Sequence, residues 1–264
     1  MDDYFTGGRA LNWRTSMFSI VATETSVLTF ISIPSIAYRS DWTFLQICLG
    51  YIIGRVIVSI TLLDQYFSNK VVSIYQILGK KFGIYIHKFS SIIFLITRLL
   101  ADGIRYFATC SIINIITGWE IYLCAIVVGV ITFIYSAKGG IRGIIFIDSY
   151  QFIIYLISGL IIIIYAYNII DIGNYEILNR LHINNKLDCI NLSGNIFYDS
   201  NHLLAGIIGG AIFSIASHGA DYMMVQRVLA CRDSLGAKKA MIGSGVFVTI
   251  QFLIFLTCRT ILRV

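Results

Sequence analysis

Long apolar runs separated by short polar segments dominate the hydrophobic pattern of this chain. A run of about 18 or more mostly apolar residues is long enough to cross a bilayer as a helix. The sequence contains seven such runs, of which the fourth and the sixth are short and would rest on neighbouring helices: Ser16–Tyr38, Thr43–Leu63, Phe89–Thr117, Glu120–Ser136, Ile147–Tyr167, Leu203–His218 and Lys239–Cys258. The pattern predicts an all-α integral membrane protein with about seven transmembrane helices.

The connections between these runs differ in character. Asp64–Lys88 is basic, and its stretch VVSIYQIL predicts a short amphipathic helix. Ala137–Phe146 is rich in glycine and predicts a turn, whereas Asn168–His202 is the longest polar stretch and predicts an external loop. We therefore expect a cytoplasmic N-terminal segment, one transmembrane domain, a long loop within that domain and a short C-terminal end: residues 1–15, 16–258, 168–202 and 259–264.

Composition and charge support a membrane location. The chain is 57% hydrophobic and 13% charged, with a mean hydropathy of +0.80, whereas a soluble domain carries about 25% charged residues. The net charge of +6 does not indicate nucleic-acid binding, because the basic residues follow the excess of Lys and Arg on cytoplasmic loops. With the N-terminus inside, inner segments carry Arg9, Arg14, Lys70, Lys80, Lys81, Lys88, Lys138, Arg142, Arg227, Arg232, Lys238 and Lys239, and outer ones carry Arg39, Arg180, Lys186, Arg259 and Arg263. We expect a multi-pass protein of the cell (plasma or inner) membrane with its N-terminus in the cytoplasm.

The first apolar run contains an unusual polar stretch, VATETSVLTFISIPS, which includes Glu24 and Pro34, the one proline of the chain. Proline removes a backbone donor and clashes with the preceding turn, and Ser and Thr side chains can cap the backbone groups that are freed. One interpretation is a broken helix whose free carbonyls coordinate an ion, as in secondary transporters. The other is a proline kink with hydroxyls bonded to their own helix. The segment alone leaves both open.

A second polar group lies in the third run, where Arg98, Asp102 and Arg105 share one helix face. Asp102 lies deep enough along this run that its charge must be paired. The three residues either neutralise one another within the helix, or one arginine also faces a carboxylate on another helix, such as Glu24 or Asp148. We treat them as an intramembrane charge network.

Two further positions have alternative interpretations. Arg55 follows Gly50 and Gly54, whose spacing is typical of close helix packing, and we interpret this group as structural. Asp148 opens the fifth run, where it either caps the helix N-terminus or lies on an ion path.

The sixth run is rich in glycine, which permits a bend or a close approach of the backbone to a ligand. His218 and Asp221 at its end fit a pH switch or, alternatively, hydrogen-bonded structural positions. The sequence has no HExxH motif and no phosphate-binding loop, and its six cysteines are scattered without a CxxC pair. We therefore expect neither an enzyme, nor a cofactor, nor a resident metal.

Four segments together resemble the sodium:solute symporter family, which includes the sodium–glucose, sodium–proline and sodium–iodide cotransporters: DYFTGGRALNW, ATETSVLTFISIPSIAYRSDWTFLQ, FLITRLLADGIRYFAT and SHGADYMMVQRVLACRDSLGAKKA. A weaker match is GGIRGIIFIDSYQF. The resemblance covers nearly the whole chain and implies a core of two inverted five-helix repeats with broken first and sixth helices. It thus favours the broken first helix, with Pro34 in the unwound part, and sodium-coupled symport of a small organic solute by alternating access.

The resemblance also implies site residues. The sodium-coordinating carbonyls fall on Ala22 and Thr25, and an acidic residue linked to sodium release falls on Asp148. The solute-binding positions implied are Glu24, Ser26, Thr29, Ser214, Ser217 and His218. Residues that bind a sugar in the family are replaced at Leu28, Thr29 and Ser214, which argues against a galactose-like solute. Glu24 replaces an asparagine, which allows a cation-like or amine-bearing solute or a changed ion dependence.

The seven runs match only core helices one to seven of this family, and helix eight normally completes the sodium site. Three alternatives follow: a fragment of a longer symporter, a membrane sensor or subunit that binds solute without transport, or a non-functional remnant. A subunit would need a partner chain that supplies the missing helices. The expected ligands are sodium, with protons as the alternative coupling ion, and a small solute, in a lipid bilayer.

Overall fold

The computed structural model describes residues 4, 6–39, 41–69, 73–169, 183, 186–196, 198–199 and 201–261. Most of the polar stretch at 168–202, predicted to be an external loop, and the end of the C-terminal segment lie outside the described residues. The described part contains a 3₁₀ turn (Gly7–Arg9), ten α-helices and a π-helical turn (Ala216–Ala220). The α-helices are α1 Trp13–Glu24, α2 Val27–Arg39, α3 Leu45–Thr61, α4 Leu63–Ser68, α5 Tyr75–Phe82, α6 Ile84–Thr117, α7 Ile121–Ile169, α8 Leu203–Ile215, α9 Tyr222–Leu229 and α10 Ser234–Ile261.

The helices agree with the expected all-α membrane fold. By length and composition four helices can cross a membrane, and a fifth span results if α1 and α2, which are bent by 68° at their junction, are taken together. The break of α7 at Gly140 divides it into two helices, and α3 is a shorter apolar helix of 17 residues. These two features account for the remaining two of the seven predicted runs.

The first helix breaks at Thr25 and Ser26, so the expectation that Pro34 lies in the unwound part is wrong. Pro34 lies inside α2, which continues through it. At the break, the Ser26 amide donates to Thr29 Oγ1 and the Thr29 amide donates to Ser26 Oγ, both at 3.3 Å. Hydroxyl side chains thus satisfy the backbone amides at the start of α2, as in a helix N-cap, and this local chemistry sets the position of the break.

The predicted glycine-rich turn at 137–146 is also wrong in extent. Helical structure runs up to residue 139 and resumes at Ile141, with only Gly140 in a non-helical conformation (φ 52°, ψ −160°). A positive φ is accessible to glycine at little cost, so one residue is enough to separate the two parts of α7. The first part contacts α6, where the Tyr106 hydroxyl donates to the carbonyl of Ala125.

Close packing of α3 on α8 forms one side of the core. A methyl group added at Gly210 would lie 2.5 Å from the carbonyl oxygen of Ile47 and 3.3 Å from Gly50 Cα. The glycine pair of α3 therefore serves helix packing, as predicted. On the other side, α10 packs against α1, α2 and α3 through buried residues such as Met241 and Phe255.

Candidate functional site

A cavity of about 440 Å³ lies at the breaks of the two discontinuous helices. Its polar lining comes from the first break, from α6 and from the π-helical turn after α8, and aromatic side chains of α3, α8 and α10 complete it. The lining residues are Glu24, Thr29, Ser32, Ile33, Phe44, Tyr51, Arg98, Arg105, Phe213, Ser217, His218, Asp221, Met224 and Phe252. Four of the six predicted solute-binding residues thus meet in one place: Glu24, Thr29, Ser217 and His218.

The second break separates α8 and its π-helical turn from α9. Asp221 lies at this point in an extended conformation and caps α9, because its Oδ1 accepts the Met223 amide at 2.8 Å. The Tyr66 hydroxyl donates to the carbonyl of Gly219 at 2.7 Å, and the Tyr75 hydroxyl donates to that of Ala220 at 3.3 Å. Side chains thus satisfy backbone groups that the break withdraws from regular helix hydrogen bonding.

Glu24 at the end of α1 pairs with Arg55 of α3. Its Oε2 lies 2.5 Å from Arg55 Nη2, and Arg55 Nη1 donates to Ser244 Oγ of α10 at 2.9 Å. Arg55 is fully buried, and its partner carboxylate is 14% exposed. The interpretation of Arg55 as part of a purely structural glycine group is therefore incomplete. Its buried charge in an apolar run was the signal that a partner carboxylate was required.

His218 of the π-helical turn lies on the other side of the Glu24 carboxylate. Its Nε2 is 3.4 Å from Glu24 Oε1, and its Nδ1 is 2.9 Å from Ser217 Oγ. The imidazole is buried, with 1% of its side chain exposed. Glu24 thereby connects both helix breaks, and its charge is already compensated by Arg55. This pairing weakens the case for a cation-like or amine-bearing solute at Glu24.

The predicted charge network of α6 is present and extends to the second break. Arg98 Nε donates to Asp102 at 3.1 Å, and Arg105 Nη1 lies 3.9 Å from the same carboxylate. Arg98 Nη1 also donates to Asp221 Oδ2 at 3.2 Å. An arginine does face a carboxylate on another helix, but that residue is Asp221 rather than Glu24 or Asp148. Arg98 Nη2 is buried without a hydrogen-bond partner among the described residues.

Asp148 lies well inside the second part of α7, so the prediction that it caps a helix N-terminus is wrong. Its Oδ2 accepts from Ser19 Oγ at 2.7 Å, from Thr23 Oγ1 at 3.3 Å and from Arg227 Nη2 at 2.9 Å. The pair with Arg227 joins α7 to α9, and the hydroxyls join it to α1. Sequence reasoning had placed Arg227 only as a cytoplasmic basic residue.

The predicted sodium-binding positions lie at the first break and are buried. The Ser26 amide, which would bond to the Ala22 carbonyl in a continuous helix, donates instead to Thr29 Oγ1. Thr25 Oγ1 donates to the carbonyl of Val21 and also lies 2.9 Å from the side-chain amide of Gln251. The Ala22 carbonyl is thus released from that helical bond, as a backbone ion ligand must be.

Two predicted solute-binding residues do not line the cavity. Ser26 is occupied by its reciprocal bonds with Thr29. Ser214 is buried against α3, where its hydroxyl donates to the Tyr51 carbonyl at 3.0 Å. In the described part of the chain, no cluster of three or more His, Cys, Asp or Glu residues is suited to hold a metal ion.

Comparison with known proteins gives a consistent result over nearly the whole chain. The model of the sodium:solute symporter family matches residues 4–264. The human sodium/iodide cotransporter is 24% identical over 245 residues, which cover 93% of this chain and 38% of that protein. The sodium-coupled monocarboxylate transporter 1 of Xenopus laevis is 25% identical over 240 residues, which cover 90% of this chain and 38% of that protein.

A solved structure, that of a Na⁺-coupled sialic acid symporter in a substrate-bound outward-open state, matches the fold. The TM-score is 0.91 at 25% sequence identity, and the match covers 99% of this chain and 55% of that chain. The chain therefore spans only about two fifths of these relatives and about half of the solved symporter.

Proposed function

Because the chain belongs to the sodium:solute symporter family, we propose that it forms the solute- and sodium-binding part of a sodium-coupled symporter that works by alternating access. The observation that carries this proposal is the meeting of two broken helices at one polar cavity inside an apolar protein. Broken helices at mid-membrane are the usual means of binding ions and solutes in secondary transporters. The expected location is the cell (plasma or inner) membrane.

Sodium binding is assigned to the first break. The Ala22 carbonyl is released there, and the Thr25 hydroxyl and carbonyl belong to the same turn. Hard cations such as sodium prefer oxygen ligands of this kind. Two positions do not make a complete coordination shell, so we propose that further ligands come from helices beyond this chain, either in a longer form of the protein or in a partner chain. Asp148, with the hydroxyls around it, is the proposed site on the ion path.

The solute is proposed to be a small organic anion. The Glu24 carboxylate is paired with Arg55, and the Asp221 carboxylate is paired with Arg98. The guanidinium of Arg98 still has a buried nitrogen without a partner among the described residues, and Arg105 is held only at 3.9 Å. A carboxylate accepts bonds from a guanidinium in a planar, bidentate manner, so these two arginines suit an anionic group.

The relatives support this assignment, since their names describe transport of iodide, monocarboxylates and sialic acid, all of which are anions at neutral pH. We assign hydrogen bonding to the neutral part of the solute to Thr29 and Ser217, and orientation of the breaks to Glu24 and His218. Ser26 and Ser214 would act only through the residues they support.

The test is uptake of radiolabelled lactate and sialic acid into proteoliposomes that contain the protein. An inward sodium gradient should drive accumulation, and equal sodium on both sides should abolish it. Arg98→Gln should reduce uptake at least about tenfold, as loss of a charge-assisted hydrogen bond does, whereas the exposed Lys138→Gln should not. Uptake that ignores the sodium gradient would refute the coupling. Sodium-dependent binding without accumulation would favour a solute-binding subunit instead.

A further inference from the structure

Arg227 occupies a site that is chemically suited to a small cation. One carboxylate oxygen, Asp148 Oδ2, lies within hydrogen-bond distance of Arg227 Nη2 at 2.9 Å, Arg227 Nε at 3.2 Å, Ser19 Oγ at 2.7 Å and Thr23 Oγ1 at 3.3 Å. A carboxylate and two hydroxyls are oxygen ligands of the kind that hard cations prefer. In this structure the positive charge among them is the guanidinium.

The three groups around this guanidinium come from three different elements. Arg227 belongs to α9, Ser19 and Thr23 to α1, and Asp148 to the second part of α7. Arg227 Nη1 also donates to the Met223 carbonyl at 2.7 Å, which fixes the side chain on its own helix. Only 5% of the Arg227 side chain is exposed. The cluster therefore holds α1 and α9, one helix from each broken pair, against α7.

We propose that Arg227 is a positioning residue that acts as a tethered cation: it neutralises Asp148 and holds α1 and α9 on α7, and a sodium ion that reaches Asp148 displaces it and releases both helices. This inference rests on the proposed symport function, because it names how the coupling ion opens the inner side. An arginine and a metal cation cannot share one carboxylate oxygen at full strength, since their charges repel each other at that distance.

A buried thiol reports whether α1 and α9 are in place. Cys231 follows α9, is fully buried, and forms an isolated bridge with Leu11, which precedes α1. The Leu11 amide donates to the carbonyl of Ala230 at 3.0 Å. Burial raises the pKa of the Cys231 thiol to about 11, so the closed form presents little thiolate. Separation of α1 from α9 would expose this thiol to a maleimide.

The experiment is maleimide labelling of the purified protein in detergent, with each cysteine read separately by peptide mass spectrometry. In wild-type protein, replacing choline with sodium should speed the labelling of Cys231 at least about fivefold, the low end of ordinary coupling between sites. In Arg227→Gln, Cys231 should label fast in choline and gain nothing from sodium. Arg227→Lys, which keeps the charge without the planar fork, should label at an intermediate rate. Cys48 is buried elsewhere in the core and should stay unlabelled.

Two results would overturn the proposal: slow Cys231 labelling in Arg227→Gln, or no effect of sodium on the wild type. If Cys48 also labels in Arg227→Gln, that variant is unfolded, and Arg227→Lys together with the wild-type sodium titration decides. Labelling does not require transport. A failure of solute uptake would therefore refute the proposed function and leave this test intact, and the reverse holds as well.

Discussion

The Glu24 carboxylate lies 2.5 Å from the guanidinium of Arg55, and this pair joins the break of the first helix to α3. Arg55 in turn donates to Ser244 of α10, and His218 of the second break lies against the other oxygen of Glu24. A buried carboxylate that connects four elements fixes the geometry of the cavity. It is satisfied by the protein itself, which leaves the arginines of α6 to meet the solute.

Removal of Arg55 should destabilise the protein strongly. Arg55→Met leaves the Glu24 charge buried with only His218 beside it, and such an unpaired charge costs about 3–5 kcal/mol. We expect a large fall in the thermal unfolding midpoint in detergent, and partial recovery in the double variant Arg55→Met/Glu24→Gln, which has no buried charge left to pair.

Asp102→Asn provides the control for this prediction. The Asp102 side chain is 45% exposed, and Arg98 keeps Asp221 as its partner, so its removal should cost less than about 1 kcal/mol. Equal losses of stability in the Arg55 and Asp102 variants would contradict the assignment of Glu24–Arg55 as the buried pair.

Two adjacent glycines of α8 should respond differently to alanine. A methyl group at Gly210 would lie 2.5 Å from the Ile47 carbonyl oxygen, whereas one at Gly209 meets no atom within 4 Å. Gly210→Ala should therefore cost about 1–3 kcal/mol through overpacking, and Gly209→Ala should be neutral or slightly stabilising in the same unfolding assay. Similar behaviour of both variants would mean that α3 and α8 do not approach as closely as described.

Pro34 should be dispensable for the break of the first helix. Because the break lies at Thr25 and Ser26 and Pro34 lies inside α2, Pro34→Ala should keep stability and solute binding. Ser26→Ala removes the hydroxyl that caps α2 and should cost about 0.5–2 kcal/mol. Both are measured by thermal unfolding and binding in detergent. A Pro34→Ala variant that loses binding while Ser26→Ala keeps it would restore the proline as the cause of the break.

A cytoplasmic ion pair should open at low pH. Hydrogen bonds from Lys238 and Ser234 hold the pKa of Asp64 below its usual value. A carboxylate with a lowered folded-state pKa stabilises the fold above its unfolded-state pKa near 4, and this contribution is lost as the pH falls through the lower folded-state pKa. Amide exchange in the first turn of α10 should accelerate only in that acidic range, and in Asp64→Asn it should be fast at every pH. Exchange that already accelerates between pH 5 and 6 would contradict the lowered pKa.

The sequence was sufficient for the apolar spans and for much of the cavity lining, because both follow from local patterns. Glu24 and His218 stood out as ionisable groups inside apolar runs, and the two breaks lie in the runs to which they belong. Pro34 misled because its effect on a helix is strong in isolation, whereas the hydroxyls of Ser26 and Thr29 capped the chain eight residues earlier. Gly140 shows the same limit, since a turn can be made by one residue of positive φ.

The ion pairs were beyond prediction for a different reason. Arg55 lies 31 residues from Glu24, Asp221 lies 123 residues from Arg98, and Arg227 lies 79 residues from Asp148. Only the packing of the helices brings these charges together. A single sequence identifies a buried charge that needs a partner but offers several candidates for that partner.

The most direct test of the account is equilibrium binding of radiolabelled sialic acid and lactate to the purified protein, in sodium and in potassium, for wild type and Arg98→Gln. The account predicts binding of at least one of these anions that requires sodium and is lost in Arg98→Gln, because the ion and the carboxylate occupy the two sides of one pair of helix breaks. Binding that is equal in potassium, or that survives in Arg98→Gln, would contradict it.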